Sequence, residues 1–121
     1  MIKWKESLKN MSKLENVSDE QKLLMSLGLC VRAGKVIFGV PMVCEAMRKG
    51  GKNSPVVIFE ASDTSEGTHK KIADKASYYK VRTVRLNCDG ATLALALGKT
   101  SSLAAIAITD EQMLRVVEKY I

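Results

Sequence analysis

Histidine occurs once, proline twice and cysteine three times in these 121 residues, and each scarcity closes off a class of protein. With His69 as the single imidazole, a dedicated zinc site lacks its usual nitrogen ligands. Cys30, Cys44 and Cys88 are odd in number and form no C-x-x-C pair. That pattern points to reduced thiols packed as small apolar groups, not to a disulfide framework or a metal site. Two prolines and eight glycines exclude a low-complexity linker. The apolar stretches 23–31 and 91–97 fall short of the roughly 20 residues a membrane helix requires, so no membrane span is expected. The opening Met1-Ile2-Lys3-Trp4-Lys5-Glu6 is charged where a secretory signal carries its apolar run, and a cytoplasmic location is expected.

Catalytic signatures are missing as well. No G-x-x-x-x-G-K-[ST] loop, G-x-G-x-x-G fingerprint or G-x-S-x-G elbow occurs, which removes the common nucleotide and acyl-transfer machineries. Arg32-Ala33-Gly34-Lys35 has one glycine and follows a helix, whereas a phosphate loop lies between a strand and the next helix. A Cys–His nucleophile needs His69 to meet a thiol, but His69 sits in a lysine-rich helical turn and reads as an exposed surface histidine. Asp63, Glu66, Asp110 and Glu111 are all accounted for as helix starts. No enzyme, metal or cofactor is therefore expected.

What the chain does contain is 46% hydrophobic and 26% charged residues, enough for one compact domain with one core. The formal charge of +6 suits an anionic partner. It is spread evenly, because residues 1–17, 18–60 and 61–121 each contribute +2. Any surface for RNA or a membrane must therefore be assembled by folding.

Ser18 with Gln21 forms a capping box, so a helix begins there; Leu23, Leu24, Leu27, Gly28 and Val31 recur at helical spacing, and Gly34 ends it. Met25, Leu29 and Cys30 widen the apolar surface and predict a helix buried around most of its circumference. Val36-Ile37-Phe38 is a short strand ended by Gly39, and Pro41 suits the first turn of a second helix that stops at Gly50-Gly51. Val43, Ala46 and Met47 form its inner face, and Met42 should be exposed on its first turn. Residues 55–59 read as a strand buried on both faces. Glu66 to Tyr79 is a third helix capped by Asp63 or Ser65, with Thr68, Ile72, Ala76 and Tyr79 inward. An alternating strand over 81–86 and a helix over 91–97 follow. A buried strand over 103–108 then leads to a final helix opened by a Thr109–Gln112 capping box, with Met113, Val116, Val117 and Tyr120 inward. Strands alternating with helices predict a single α/β domain, a three-layer α/β/α sandwich with a mixed central sheet over residues 18–121.

Four blocks then carry a family resemblance. They are Leu23 to Gly50, Asp63-Thr64-Ser65-Glu66-Gly67-Thr68 with Lys70-Lys71-Ile72, Leu93 to Lys99, and Ala107-Ile108-Thr109-Asp110. In this order they resemble the L-seven-Ae superfamily of ribosomal proteins that bind kink-turn RNA, especially its small stand-alone bacterial members. The resemblance implies a ribonucleoprotein component contacting structured, ribosomal RNA. Its RNA face would combine the N-terminus of the second helix with the loop after the third strand. On this chain those are Gly39, Val40, Pro41 and Met42, together with Cys88, Asp89 and Gly90. Physics supports the first of these, since a helix N-terminus offers free amides to phosphate and Val40 has no side-chain acceptor to cap them. Arg32 and Lys35, just upstream, are expected to add phosphate contacts. Where the family's RNA binders carry Gly-x-Asn-Glu-x-x-Lys, this chain keeps the glycine and has Pro41, Met42 and Glu45 at the other places. That composition leaves a second reading open, a protein-interaction module on the same fold.

Residues 1–17 form a separate extension. Trp4, Leu8, Met11 and Leu14 recur at helical spacing with Lys3, Lys5, Glu6, Lys9 and Lys13 between them. The alternatives are a disordered segment, a later start at Met11, or a short amphipathic helix packed on its own domain or forming a homodimer with a second copy.

Overall fold

The computed structural model describes residues 18–121, so the amphipathic helix expected within residues 1–17 lies outside the described residues. Five helices and four strands alternate there: α1 Asp19–Arg32, β1 Val36–Phe38, α2 Val40–Lys49, β2 Val57–Glu60, α3 Glu66–Tyr79, β3 Arg82–Arg85, α4 Gly90–Ala96, β4 Ala105–Ile108 and α5 Glu111–Glu118. A single 3-10 turn, Gly51–Asn53, links α2 to the next strand.

The sheet is mixed, with strand order β1-β4-β2-β3. β4 lies antiparallel between β1 and β2, while β2 and β3 run parallel and are joined across α3. β2 and β4 are central, which is why all four residues of each are buried and why both read as continuous apolar runs. β3 is an edge, which explains the exposure of Arg82 and Arg85.

Period-two alternation along the central strands divides the core in two. Val57, Phe59, Ile106 and Ile108 face α1, α4 and α5, where Leu27, Cys30, Leu93 and Val117 meet them. Ile58, Ala105 and Ala107 face the other way, against Val43 and Met47 of α2 and Ile72 and Ala76 of α3. Three layers result, as the strand and helix pattern predicts. Each fully buried Leu, Ile or Phe contributes about 1.5–3 kcal/mol of transfer free energy, so both faces of the sheet are needed to hold a chain this short.

Local signals account for most helix ends. Ser18 and Gln21 form the expected reciprocal box at 3.1 and 3.2 Å. Other expectations need correction. Met25 and Leu29 are more than half exposed, so α1 buries only the stripe Leu23, Leu27 and Cys30. Apolar character on every side did not translate into burial, because α1 has partners on one side only. Tyr79 and Val116 likewise point outward, since α3 and α5 each pack through a single narrow stripe. Ser65 caps α3, accepting from the Thr68 amide at 3.3 Å, while Asp63 reaches across to the Gly90 amide at 2.9 Å. The last helix is capped by Asp110, not by Thr109. Thr109 is held instead by its amide to the Lys35 carbonyl at 3.0 Å. Among the described residues no helix is long and apolar enough to cross a membrane.

Candidate functional site

Every strand turn in this fold must place its backbone amides somewhere, and one set stays free. Gly39 has φ +87°, a conformation that favours glycine, and this lets the chain turn sharply out of β1 into α2. Its amide bonds the Ala105 carbonyl at 2.9 Å, and its carbonyl accepts from Val43 at 3.0 Å. No side chain caps the helix, its first turn holds no acidic residue, and proline stands in that turn. Among the described residues nothing accepts from the amides of Val40 and Met42. This end of α2 therefore carries uncompensated partial positive charge.

The loop of Cys88, Asp89 and Gly90 lies at the same end of the sheet, where Leu103 donates to the Gly90 carbonyl at 3.1 Å, two residues before Ala105. Its amides, however, are already taken by carboxylates. Glu20 accepts from Asn87 and Cys88, Asp63 from Gly90, and Asp89 from Thr92 at 2.8 Å as the cap of α4. Hydrogen bonds from Thr92, its side chain first and then its amide, hold the Asp89 carboxyl below the usual aspartate range. Burial foremost, with Glu20 next to it, pushes the Cys88 thiol up. Gly90 is buried so closely that a Cβ would sit 2.7 Å from the Leu103 carbonyl oxygen. This loop is built for packing and offers an anion little.

Arg32 and Lys35 are placed elsewhere. Lys35 precedes β1, with its Nζ 3.8 Å from the Asp110 carboxylate at the start of α5. Four extended residues, roughly 13 Å, separate it from Gly39. Arg32 closes α1 beside it, while the opposite end of that helix holds Asn87 and Cys88 through Glu20. The two basic residues upstream in sequence thus lie at the far end of the sheet from the α2 turn.

A different cation takes that place. Lys99, in the loop after α4, holds its Nζ 4.2 Å from the centre of the Phe38 ring, immediately before Gly39. No local pattern placed Lys99 there; the signal available was the Gly-Lys ending of the Leu93 to Lys99 block. Met42 and Pro41 are exposed at the tip of the turn. Glu45, one turn further along, is engaged by Arg48 through Nε at 3.0 Å and a second nitrogen. The Arg48 hydrogen bond lowers the Glu45 carboxyl, so its charge is offset locally.

One polar cluster went unread in the sequence. Glu60, only 3% exposed, ends β2 with its carboxylate 2.7 Å from His69 Nδ1 and 3.8 Å from Arg85 Nε. Arg85 also donates to the Ser62 carbonyl at 3.0 Å. His69 is thus a half-buried partner of a buried acid, not a free surface histidine, because α3 crosses the end of β2. The three side chains offset the cost of burying the carboxylate and tie α3 to two strands.

Together these features define a small three-layer α/β/α domain that presents one uncapped helix end, flanked by a lysine, at the edge of its sheet. Over 66 residues the chain is 39% identical to RNA-binding protein YlxQ of Enterococcus faecium, a match spanning 54% of this chain but only 61% of that protein. Over 85 residues it is 33% identical to RNA-binding protein YlxQ of Bacillus subtilis strain 168, covering 70% of this chain and 80% of that one. The chain belongs to the YlxQ family. A solved protein of unknown function from Bacillus halodurans C shares the fold, with a TM-score of 0.72 and 26% identity across 82% of this chain and 95% of that one. No protein-family model matches the chain.

Proposed function

We propose that the chain binds RNA, with the N-terminus of α2 cradling a phosphate between the Val40 and Met42 amides and the Lys99 ammonium. The observation that carries this reading is the uncapped start of α2 beside Lys99. Backbone amides and a helix dipole favour an anion there, and a mobile lysine adds a point charge. The names borne by the relatives from Enterococcus and Bacillus support the same ligand class. The finer reading is an L-seven-Ae-type contact with a kink-turn-like element of ribosomal RNA, and it rests on the four sequence blocks. Lacking the Asn and Glu of that superfamily's turn, this chain should favour a kink-turn over a plain duplex only modestly, since amides and one lysine position a backbone without reading base edges.

The competing reading, a protein-interaction module, is favoured by Pro41 and Met42 standing exposed at the tip, with Met42 60% accessible. Salt separates the two. Phosphate contacts make log affinity fall with log salt, and Lys99→Glu should weaken RNA binding about tenfold and flatten that slope by about one. The double variant Arg32→Glu, Lys35→Glu should have the smaller effect, because those side chains lie at the other end of the sheet. Equal losses from both variants would move the interface. Salt-independent affinity, or none for cellular RNA, would favour the protein partner.

A further inference from the structure

Along one side of the domain α1 and α4 leave a groove of about 500 Å³ that nothing in the described residues fills. Its walls include Leu24, Met25, Leu29 and Leu95, and three of these stand in water: Met25 61%, Leu29 55% and Leu95 80% exposed. Three large apolar side chains clustered on one surface of so small a domain call for a cover.

We infer that residues 4–14 of this same chain are that cover, lying as an amphipathic helix in the groove and running antiparallel to α1. Three observations select this occupant. The segment is joined directly to α1, whose cap is Ser18. Its apolar residues Trp4, Leu8, Met11 and Leu14 form one helical stripe, with Lys3, Lys5, Lys9 and Lys13 off it. The lengths also agree. Trp4 to Leu14 spans about 15 Å as a helix, the same rise as Ser18 to Gly28 in the middle of the groove. Glu15, Asn16 and Val17 remain as the connection, within the two to five residues that join antiparallel helix pairs. In this arrangement Leu14 lies near the start of α1 and Trp4 near Leu29 and Leu95. A helix this short is marginal in water and gains its order from the surface it covers, while the covalent link removes the cost of finding it. The inference is independent of the RNA reading, since the groove and the α2 turn are different surfaces.

Trp4 is the only tryptophan, which makes the full-length protein its own reporter. Docking predicts blue-shifted Trp4 emission shielded from acrylamide, with both properties lost in Leu95→Glu. Leu95 is exposed, so this change should leave the far-UV circular dichroism intact. Leu8→Glu, outside the described domain, should abolish the shielding equally and serves as the second variant should Leu95→Glu perturb folding. Emission like that of free tryptophan in the unaltered protein would overturn the inference. So would shielding that survives both variants, or shielding lost on dilution in step with a dimer-to-monomer change in sedimentation, which would assign the groove to a second copy.

Discussion

A carboxylate beside a loop decides whether the amides around it remain free for a ligand. Glu20, Asp63 and Asp89 take the amides of Asn87, Cys88, Gly90 and Thr92, whereas α2 starts from Gly39, Val40 and Pro41, none of which carries an acceptor. Two loops at one end of the sheet thereby acquire opposite characters. Asp89 gives this a measurable pH dependence. Its pKa is lowered by folding, so its stabilising effect is present above the ordinary aspartate pKa and is lost as the pH falls through the depressed folded value. Asp89→Ala should lower the urea midpoint at neutral pH, and the gap to the unaltered protein should narrow as acid protonates the native carboxyl. Asp89→Asn, which keeps an acceptor, should fall between them. A gap that stays constant into acid would mean that Asp89 does not act through its charge.

At the scale of elements, the β1–α2 turn holds the most demanding backbone of the candidate site. Gly39 combines φ +87° with ψ 148°, which a residue bearing a Cβ adopts only under strain. Gly39→Ala should therefore cost about 1–3 kcal/mol, read as a lower denaturant midpoint, and should misplace the amides of α2. Gly67, in the first turn of α3, has open space where a Cβ would stand and no positive φ. Gly67→Ala should accordingly be neutral or raise stability by up to about 1 kcal/mol. If both alanines behaved alike, backbone conformation would not be what retains glycine at position 39.

Over the whole molecule, the two half-cores share the same two strands. Phe59 and Ile58 are neighbours on β2 that point into opposite layers, so neither layer survives loss of the strand they share. Phe59→Ala should cost about 3–5 kcal/mol and Ile58→Ala about 2–5. Both should lower one cooperative transition followed by far-UV circular dichroism. A biphasic curve in either variant, with one helix layer melting before the other, would show the layers to be independent.

Local signals in the sequence determined where elements begin and end and which strands are central. The Ser18 box, Gly39 before Pro41, and the apolar runs through Val57 and Ile106 each act over a few residues, and such short-range preferences are legible one residue at a time. Tertiary structure alone decided which residues meet. Lys35 is four positions from Gly39 yet lies at the other end of a strand, because an extended chain moves about 3.3 Å per residue away from where it started. Lys99 is sixty positions from Gly39 and comes to rest beside it, because antiparallel pairing of β1 with β4 brings the loop after α4 back to the same end. For the same reason Glu60 could be read as a strand residue, but its pairing with His69 and Arg85 could not. Sequence distance measures contour, and a binding surface is set by proximity across the sheet.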